Sequence, residues 1–133
     1  MRVVIIDNVQ IAVVDHDRLT REFIVNVMMY CVNRDVLVFE TAADMEAYLR
    51  SGKGVHIVFT DVHLPEKSGF DLLHRIKQKY PDICLVAMSA NPADETAATK
   101  LGADVFLARP FALQDLFDIV QQFVVDNSVS PVA

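Results

Sequence analysis

The sequence has little glycine and little cysteine, and it has no tryptophan: its 133 residues include four glycines and two cysteines. The glycines are Gly52, Gly54, Gly69 and Gly102. None of them follows the first predicted strand, which excludes the glycine-rich turn of dinucleotide-binding domains. Cys31 and Cys84 lie in separate apolar segments without a second thiol nearby, which excludes a disulfide framework or a thiolate metal site. We expect both to be small core residues in a reducing compartment.

Basic residues and long apolar runs are also scarce. Lys and Arg number 12 against 18 Asp and Glu, and the net charge of -6 argues against direct nucleic-acid binding. Every apolar run is much shorter than a bilayer span, and the start MRVVIID lacks the features of a signal peptide. We therefore expect a cytoplasmic protein without a membrane segment.

Five short apolar runs are present instead, and they lack the apolar/polar alternation of a sheet with one solvated face. This predicts parallel strands buried on both faces. The runs cover residues 11–14, 36–39, 57–59, 83–88 and 105–108.

Segments of helical period separate these runs. Leu19, Phe23, Val27 and Cys31 form one apolar stripe, and the last helix repeats the pattern. Its apolar positions are Leu113, Leu116, Phe117, Val120 and Val124, with Ile119, Phe123 and Val125 beside them. Five strand–helix alternations predict a single doubly wound α/β domain.

Two N-terminal stretches, RVVIID and IAVVD, have the form of a first strand. The second is favoured because a helix start follows it directly, with Asp17 as a plausible N-cap. We therefore expect an extension over residues 1–10, the domain over 11–125, and a flexible tail or linker start over 126–133.

Polar side chains stand where four of the strands end. Asp15 follows the first strand, Asp61 the third, Ser89 the fourth and Arg109 the fifth. Reactive groups of parallel sheets gather beyond the carboxyl ends of the strands. Two carboxylates, a hydroxyl and a guanidinium at one edge are suited to a phosphoryl group and a metal ion.

The segment VFTDVHLPEKSGFDLL and the steps VAMSA and FLARPF resemble those of response regulator receiver domains, from residue 11 to about residue 125. The resemblance implies a flavodoxin-like (βα)5 domain with a parallel five-stranded sheet in the order 2-1-3-4-5. It also implies phosphorylation on an aspartate by a histidine kinase or phosphotransfer protein, with Mg²⁺ as cofactor.

By this resemblance Asp61 is the phosphoacceptor and Asp15 the first metal-binding acid. Ser89 and Phe106 take the switch positions, and the backbone carbonyl of His63 is a metal ligand. The resemblance further implies a cis peptide before Pro110. It also implies an output or dimer surface on helix four, strand five and helix five, through which a downstream protein or a second copy binds.

Two residues depart from the family pattern. His16 replaces the second acid, and an imidazole is a poorer ligand for Mg²⁺ than a carboxylate, so we expect weakened metal binding and impaired phosphorylation. Arg109 replaces a lysine; it keeps the charge and can contact phosphate with two nitrogens, but its planar head differs in geometry. Asp17 could supply the missing carboxylate, although we favour its role as a helix cap.

VVDHDRLT also resembles the opening motif of haloacid dehalogenase-type phosphatases. In that reading Asp15 is the nucleophile, Asp17 the general acid/base, and Ser89 and Arg109 bind phosphate. Leu19 stands where that motif has Thr or Val, and the motif around Asp61 would have no role. We favour the receiver domain, which is a signalling module rather than an enzyme.

Overall fold

The computed structural model describes residues 9–32, 36–65 and 68–126. Within these residues, five strands alternate with five α-helices. The strands are β1 (Ile11–Val14), β2 (Val36–Phe39), β3 (Ile57–Asp61), β4 (Cys84–Ser89) and β5 (Val105–Ala108). The helices are α1 (Arg18–Val27), α2 (Ala42–Arg50), α3 (Gly69–Lys79), α4 (Asp94–Lys100) and α5 (Leu113–Asp126). A short π-helical segment, Met28–Val32, continues α1.

The strands form one parallel sheet in the order β2-β1-β3-β4-β5, as predicted. β1 pairs with both β2 and β3, so the chain reverses its direction across the sheet at β1. Parallel sheets of this kind bind ligands in the crevice beyond the carboxyl ends of the strands at such a reversal.

Each face of the sheet has its own apolar core. On one face Ala12 and Val14 of β1 pack with residues of α2 and α3, and with Ala98 of α4. On the other face Ile11 and Val13 pack with residues of α1 and α5. Alternate residues of one strand therefore enter opposite cores, which explains the continuous apolar run in its sequence.

Local signals position the helices that begin near the site. Asp17 caps α1 by accepting a hydrogen bond from the Leu19 amide, and Ser68 caps α3 through the Phe70 amide. Gly69 has no room for a side chain, since a Cβ there would lie 2.0 Å from the Asp61 carbonyl oxygen. The glycine in the VFTDVHLPEKSG motif therefore allows α3 to start against the end of β3.

Several expectations about burial need correction. Leu19 is 74% exposed and Phe23 is 39% exposed, because the core-facing stripe of this helix runs through Ile24, Val27 and Met28 instead. The edge strands β2 and β5 are only partly buried, since each has a neighbouring strand on one side. Cys84 is half-buried, and burial raises its pKa to about 11.

Some expectations fall on residues outside the described part of the chain. These are the strand-like stretch within residues 1–8, the tail over 127–133, and the side chains of Cys31, Phe123, Val124 and Val125. The remaining residues of the proposed extension are described: Val9 is buried, and the Gln10 carbonyl accepts hydrogen bonds from the His56 and Ile57 amides. The domain boundaries stay predictions.

Among the residues described, no helix is both long and apolar enough to span a bilayer.

Candidate functional site

The carboxyl ends of the strands bring the predicted polar residues to one edge of the sheet. Asp61 and Ser89 are the last residues of β3 and β4, while Asp15 and Arg109 directly follow β1 and β5. Hydrogen bonds between backbones fix these ends relative to one another: the Arg109 amide donates to the Ser89 carbonyl at 2.9 Å, and the Asp15 amide donates to the Phe39 carbonyl at 3.1 Å.

Arg109 joins two of the acids and α1. Its Nη2 donates to Asp15 Oδ2 and lies 3.4 Å from Asp61 Oδ2. Its Nη1 donates to the Thr20 hydroxyl oxygen at 2.8 Å. We call Asp15, Thr20, Asp61 and Arg109 the Arg109 network. Because its charged side chains are largely withdrawn from water, the guanidinium is the main neutralising charge for both carboxylates.

The two carboxylates of this network differ in access to solvent. The Asp15 side chain is 0% exposed, and its Oδ1 also accepts the Asp17 amide at 2.8 Å. The Asp61 side chain is 12% exposed, and its Oδ1 accepts the His63 amide at 2.9 Å. Burial raises the pKa of Asp61, and the Asp15 charge adds to that effect. The hydrogen bond from the His63 amide and the charge of Arg109 partly offset this by lowering the pKa of Asp61.

Asp17 is the helix cap that the sequence predicts. Its carboxylate accepts hydrogen bonds from the Leu19 amide and from the Thr20 hydroxyl at 2.8 Å. The Thr20 bond is the main cause that lowers the pKa of Asp17. The side chain is thus used as the cap at the start of α1.

Ser89 belongs to a second network. Its hydroxyl donates to Asp94 Oδ2 at 2.6 Å, and the same oxygen lies 2.8 Å from Nε2 of His63. These two contacts, with the Ser89 bond as the larger cause, lower the pKa of Asp94. We call His63, Ser89 and Asp94 the Asp94 network. No side-chain hydrogen bond among the described residues joins Ser89 to Asp61 or Arg109.

Sequence reasoning missed Asp94 and the imidazole of His63. Asp94 follows Ser89 by five residues at the first position of α4, where an acid is usual for reasons of helix stability alone. His63 was expected to act through its carbonyl. No spacing rule predicts that a loop after β3 meets the start of α4, so this contact is visible only in the fold.

Two further positions of the resemblance are Phe106 and the peptide bond before Pro110. Phe106 is a partly buried residue of β5 that packs against the core on the α2–α3–α4 side. The peptide bond between Arg109 and Pro110 is cis, as the resemblance implied.

Asp15, His16 and Asp61 form a potential metal-binding group, with one ligand atom from each lying within 4.8 Å of the others. His16 is 53% exposed, and its Nδ1 lies 3.9 Å from Asp15 Oδ1. Two carboxylates, an imidazole and a guanidinium that lie close together at this edge can bind a phosphoryl group or a cation.

The fold and site therefore define an α/β domain with an acidic centre at the carboxyl edge of its sheet. The response regulator receiver domain family matches residues 11–121. The DNA-binding transcriptional regulator NtrC of Rhizobium meliloti is 33% identical over 123 residues, which are 91% of this chain and 25% of that protein. The NtrC of Azospirillum brasilense is 31% identical over 120 residues, or 89% of this chain and 24% of the relative.

A solved structure of the response regulator DrrB, a Thermotoga maritima OmpR/PhoB homolog, has a TM-score of 0.78 at 26% identity. It covers 91% of this chain and 54% of DrrB. The BeF3-activated DrrB receiver domain has a TM-score of 0.76 at 27% identity, covering 86% and 96% of the two chains.

The chain belongs to the response regulator receiver domain family. It is a receiver module of two-component signalling, and such modules interact with histidine kinases and downstream effectors. The chain spans about a quarter of the length of the curated relatives it matches. The phosphatase alternative has no support from these similarities.

Proposed function

We propose that Asp61 accepts a phosphoryl group from a histidine kinase or phosphotransfer protein. The observation that carries this proposal is the contrast in access: Asp61 has solvent-exposed surface at the mouth of the site, whereas Asp15 is 0% exposed. In the transfer, an Asp61 oxygen bonds to phosphorus as the bond from phosphorus to the donor nitrogen breaks. The donor imidazole keeps the electron pair.

Arg109 supports this chemistry because its guanidinium already faces Asp61 and can contact the phosphoryl oxygens. Ser89 supplies the second contact if its hydroxyl leaves Asp94 for the phosphoryl group. That exchange would release Asp94 and the start of α4, which links the chemistry to a change in the populations of two conformations.

Magnesium, when bound to receiver domains, supplies positive charge that orders phosphoryl oxygens. In this chain Asp15, Asp61 and the carbonyl of His63 would hold it. The set fits Mg²⁺ poorly because His16 offers nitrogen, and because both Asp15 oxygens already accept hydrogen bonds. We therefore propose a weakened Mg²⁺ site and an atypical receiver.

We place the docking of the phosphoryl donor on the first turns of α1. Leu19 and Phe23 are exposed there, and Phe23 contacts Phe111 of the β5–α5 loop with ring centroids 5.9 Å apart. Thr20 of the same helix contacts Arg109, so a donor on this surface lies beside Asp61. Leu19→Ser should slow transfer from a kinase but leave labelling by a small phosphodonor unchanged. Leu113→Ser, at the start of α5, is the matched control.

For the output we propose a protein target or a second copy on the α4–β5–α5 face. Phe106 and Leu113 supply partly exposed apolar surface there. The NtrC relatives are DNA-binding transcriptional regulators, and the net charge of -6 argues against DNA binding by this chain alone. The expected cytoplasmic location stays a prediction.

The decisive experiment is intact-mass analysis and peptide mapping after incubation with acetyl phosphate and Mg²⁺. We expect one phosphoryl group on Asp61, which is lost in Asp61→Asn and increased in His16→Asp. Asp82→Asn, at an exposed position, is the control for removing a carboxylate. Label on Asp15 with release of phosphate would contradict the proposal and favour the phosphatase.

A further inference from the structure

We propose that Arg109 is a built-in cation that holds Asp15 and Asp61 together in place of a divalent ion. The acidic site would then keep its geometry without metal. This inference rests on the proposed function in taking Asp61 as the working carboxylate, and it adds how that carboxylate is neutralised before any phosphoryl group arrives.

Arg109 lies between the two carboxylates and is held there by a further contact. One guanidinium nitrogen contacts Asp15 Oδ2 and lies 3.4 Å from Asp61 Oδ2, so it stands between the two carboxylates that a metal ion would bridge. The second nitrogen is fixed by the Thr20 hydroxyl at 2.8 Å. Thr20 is in turn held by Asp17, the cap of α1. The cation is therefore positioned by two elements and not by its charge alone.

The carboxylate oxygens of Asp15 and Asp61 already have partners within the protein. Asp15 gives one oxygen to the Asp17 amide and the other to Arg109. Asp61 gives one oxygen to the His63 amide and turns the other toward Arg109. No buried side-chain oxygen or nitrogen among the described residues lacks a partner. A metal ion would have to displace Arg109 or share its acceptors, and either change costs free energy.

The net charge of the site is also lower than a divalent ion would neutralise. Two carboxylates and one guanidinium leave a single net negative charge when His16 is neutral. An aspartate at position 16 would leave two, which is the charge that a divalent ion neutralises. Position 16 and position 109 therefore act in the same direction: one removes a negative charge, and the other fixes a positive charge with two nitrogens where an ammonium offers a single one.

The test is the thermal unfolding of the full chain with and without MgCl2 or MnCl2, against NaCl of matched ionic strength, without any phosphodonor. Wild type should show a Tm change of less than about 1 °C with either ion. Arg109→Ala should unfold about 10 °C lower without metal, because the buried Asp15 loses its cation. It should recover at least about half of that loss when metal is added.

Two further variants separate Arg109 from His16. His16→Asp restores a carboxylate but keeps the built-in cation, so its response to metal should be smaller than that of His16→Asp with Arg109→Ala. If Arg109→Ala does not fold, Mn²⁺ titration followed by electron paramagnetic resonance on Arg109→Lys decides the question. We expect Arg109→Lys to bind Mn²⁺ at least about tenfold more tightly than wild type, since one ammonium cannot replace the two-nitrogen contact.

The proposal is wrong if wild type is stabilised by millimolar Mg²⁺ as strongly as the Arg109 variants, or if no Arg109 variant gains metal binding. Neither result depends on phosphorylation. Absence of label on Asp61 would overturn the proposed function without changing the metal response of the Arg109 variants, so the two failures are distinguishable.

Discussion

The Arg109 network and the Asp94 network lie on the same edge of the sheet and differ in the exposure of their basic side chains to water. In the first, the Asp15 side chain is 0% exposed and Arg109 is 20% exposed. In the second, His63 is 63% exposed and Asp94 is 16% exposed. Buried ion pairs are costly to break, whereas exposed ones contribute little. One half of the edge is therefore fixed, and the other can exchange partners.

His63 of the Asp94 network also contacts the Arg109 network. Its backbone amide donates to Asp61, and its imidazole contacts Asp94. A change at Asp61 can thus reach the start of α4 through one residue, without any movement of β1 or β5. We infer that the fixed half positions the Asp61 carboxylate while the exchangeable half responds to its phosphorylation.

The largest loss of stability is expected from a substitution at Gly69, which packs against the end of β3 beside both networks. Gly69→Ala should lower the free energy of unfolding by about 3 kcal/mol or more, because the new Cβ meets the backbone of Asp61 and Val62. Gly54→Ala is the matched control, since a Cβ there has nothing within 4 Å. Urea unfolding of both variants checks the prediction. Equal losses in the two variants would show that the contact at Gly69 is not responsible.

Breaking the fixed half alone should come next. Asp15→Asn should cost about 2 kcal/mol, because Arg109 loses a buried anionic partner while the Asp17 amide keeps an acceptor. Asp82→Asn, at an exposed position, should be close to neutral. A loss at Asp15 no larger than that at Asp82 would mean that the Arg109 network is not a stabilising unit.

Asp61→Asn should stabilise the protein near neutral pH and raise Tm by about 2–4 °C. The pKa of Asp61 is raised, chiefly by burial, so its ionised form is disfavoured in the folded state. Stability of wild type should therefore increase as pH falls through that raised pKa, and the advantage of Asp61→Asn should disappear in acid. Thermal scans from pH 7 to pH 3 test this. An advantage that grows in acid would contradict it.

The smallest effect on stability should follow removal of the His63 imidazole from the Asp94 network. His63→Ala should change Tm by less than about 2 °C, because the ion pair is exposed and the backbone amide to Asp61 remains. The pKa of Asp94 is lowered, first by the Ser89 hydrogen bond, so its contribution to stability is present near neutral pH and is lost as pH falls through the lowered value. This pH dependence is opposite in sign to that of Asp61.

Thermal scans of wild type, His63→Ala and Ser89→Ala over the same pH range measure how the contribution of Asp94 to stability changes with pH. The acid-dependent loss should be smaller in both variants. A loss that is unchanged would mean that Asp94 does not depend on these two contacts.

The sequence predicts the five strands and the residues at their ends because these depend on local pattern and topology, whereas the strand order is what the resemblance to receiver domains implies. Continuous apolar runs mark parallel strands, and parallel strands deliver their ends to one edge. It does not predict that the edge divides in two. Ser89 and Arg109 were expected around one phosphoryl group, but the hydroxyl pairs with Asp94, and that choice depends on where α4 starts after a loop.

The sequence also does not predict which apolar residues of α1 face the core. Leu19 and Phe23 fit an apolar stripe as well as Ile24 does, yet only Ile24 of the three is buried in the core. The start of α1 is held by the hydrogen bond from Thr20 to Asp17 and by the contact of Thr20 with Arg109, which lies 89 positions away in the chain.

Two backbone amides offer a direct test of the fixed and exchangeable halves. The Asp17 amide donates to Asp15 Oδ1 at 2.8 Å, and the Asn91 amide donates to the Ser89 hydroxyl oxygen at 3.0 Å. Their positions in ¹H–¹⁵N correlation spectra, recorded before and after phosphorylation by acetyl phosphate, report the two networks separately. We predict a large shift for Asn91 and little change for Asp17, with neither shift in Asp61→Asn. A shift of Asp17 that equals or exceeds that of Asn91 would contradict the account.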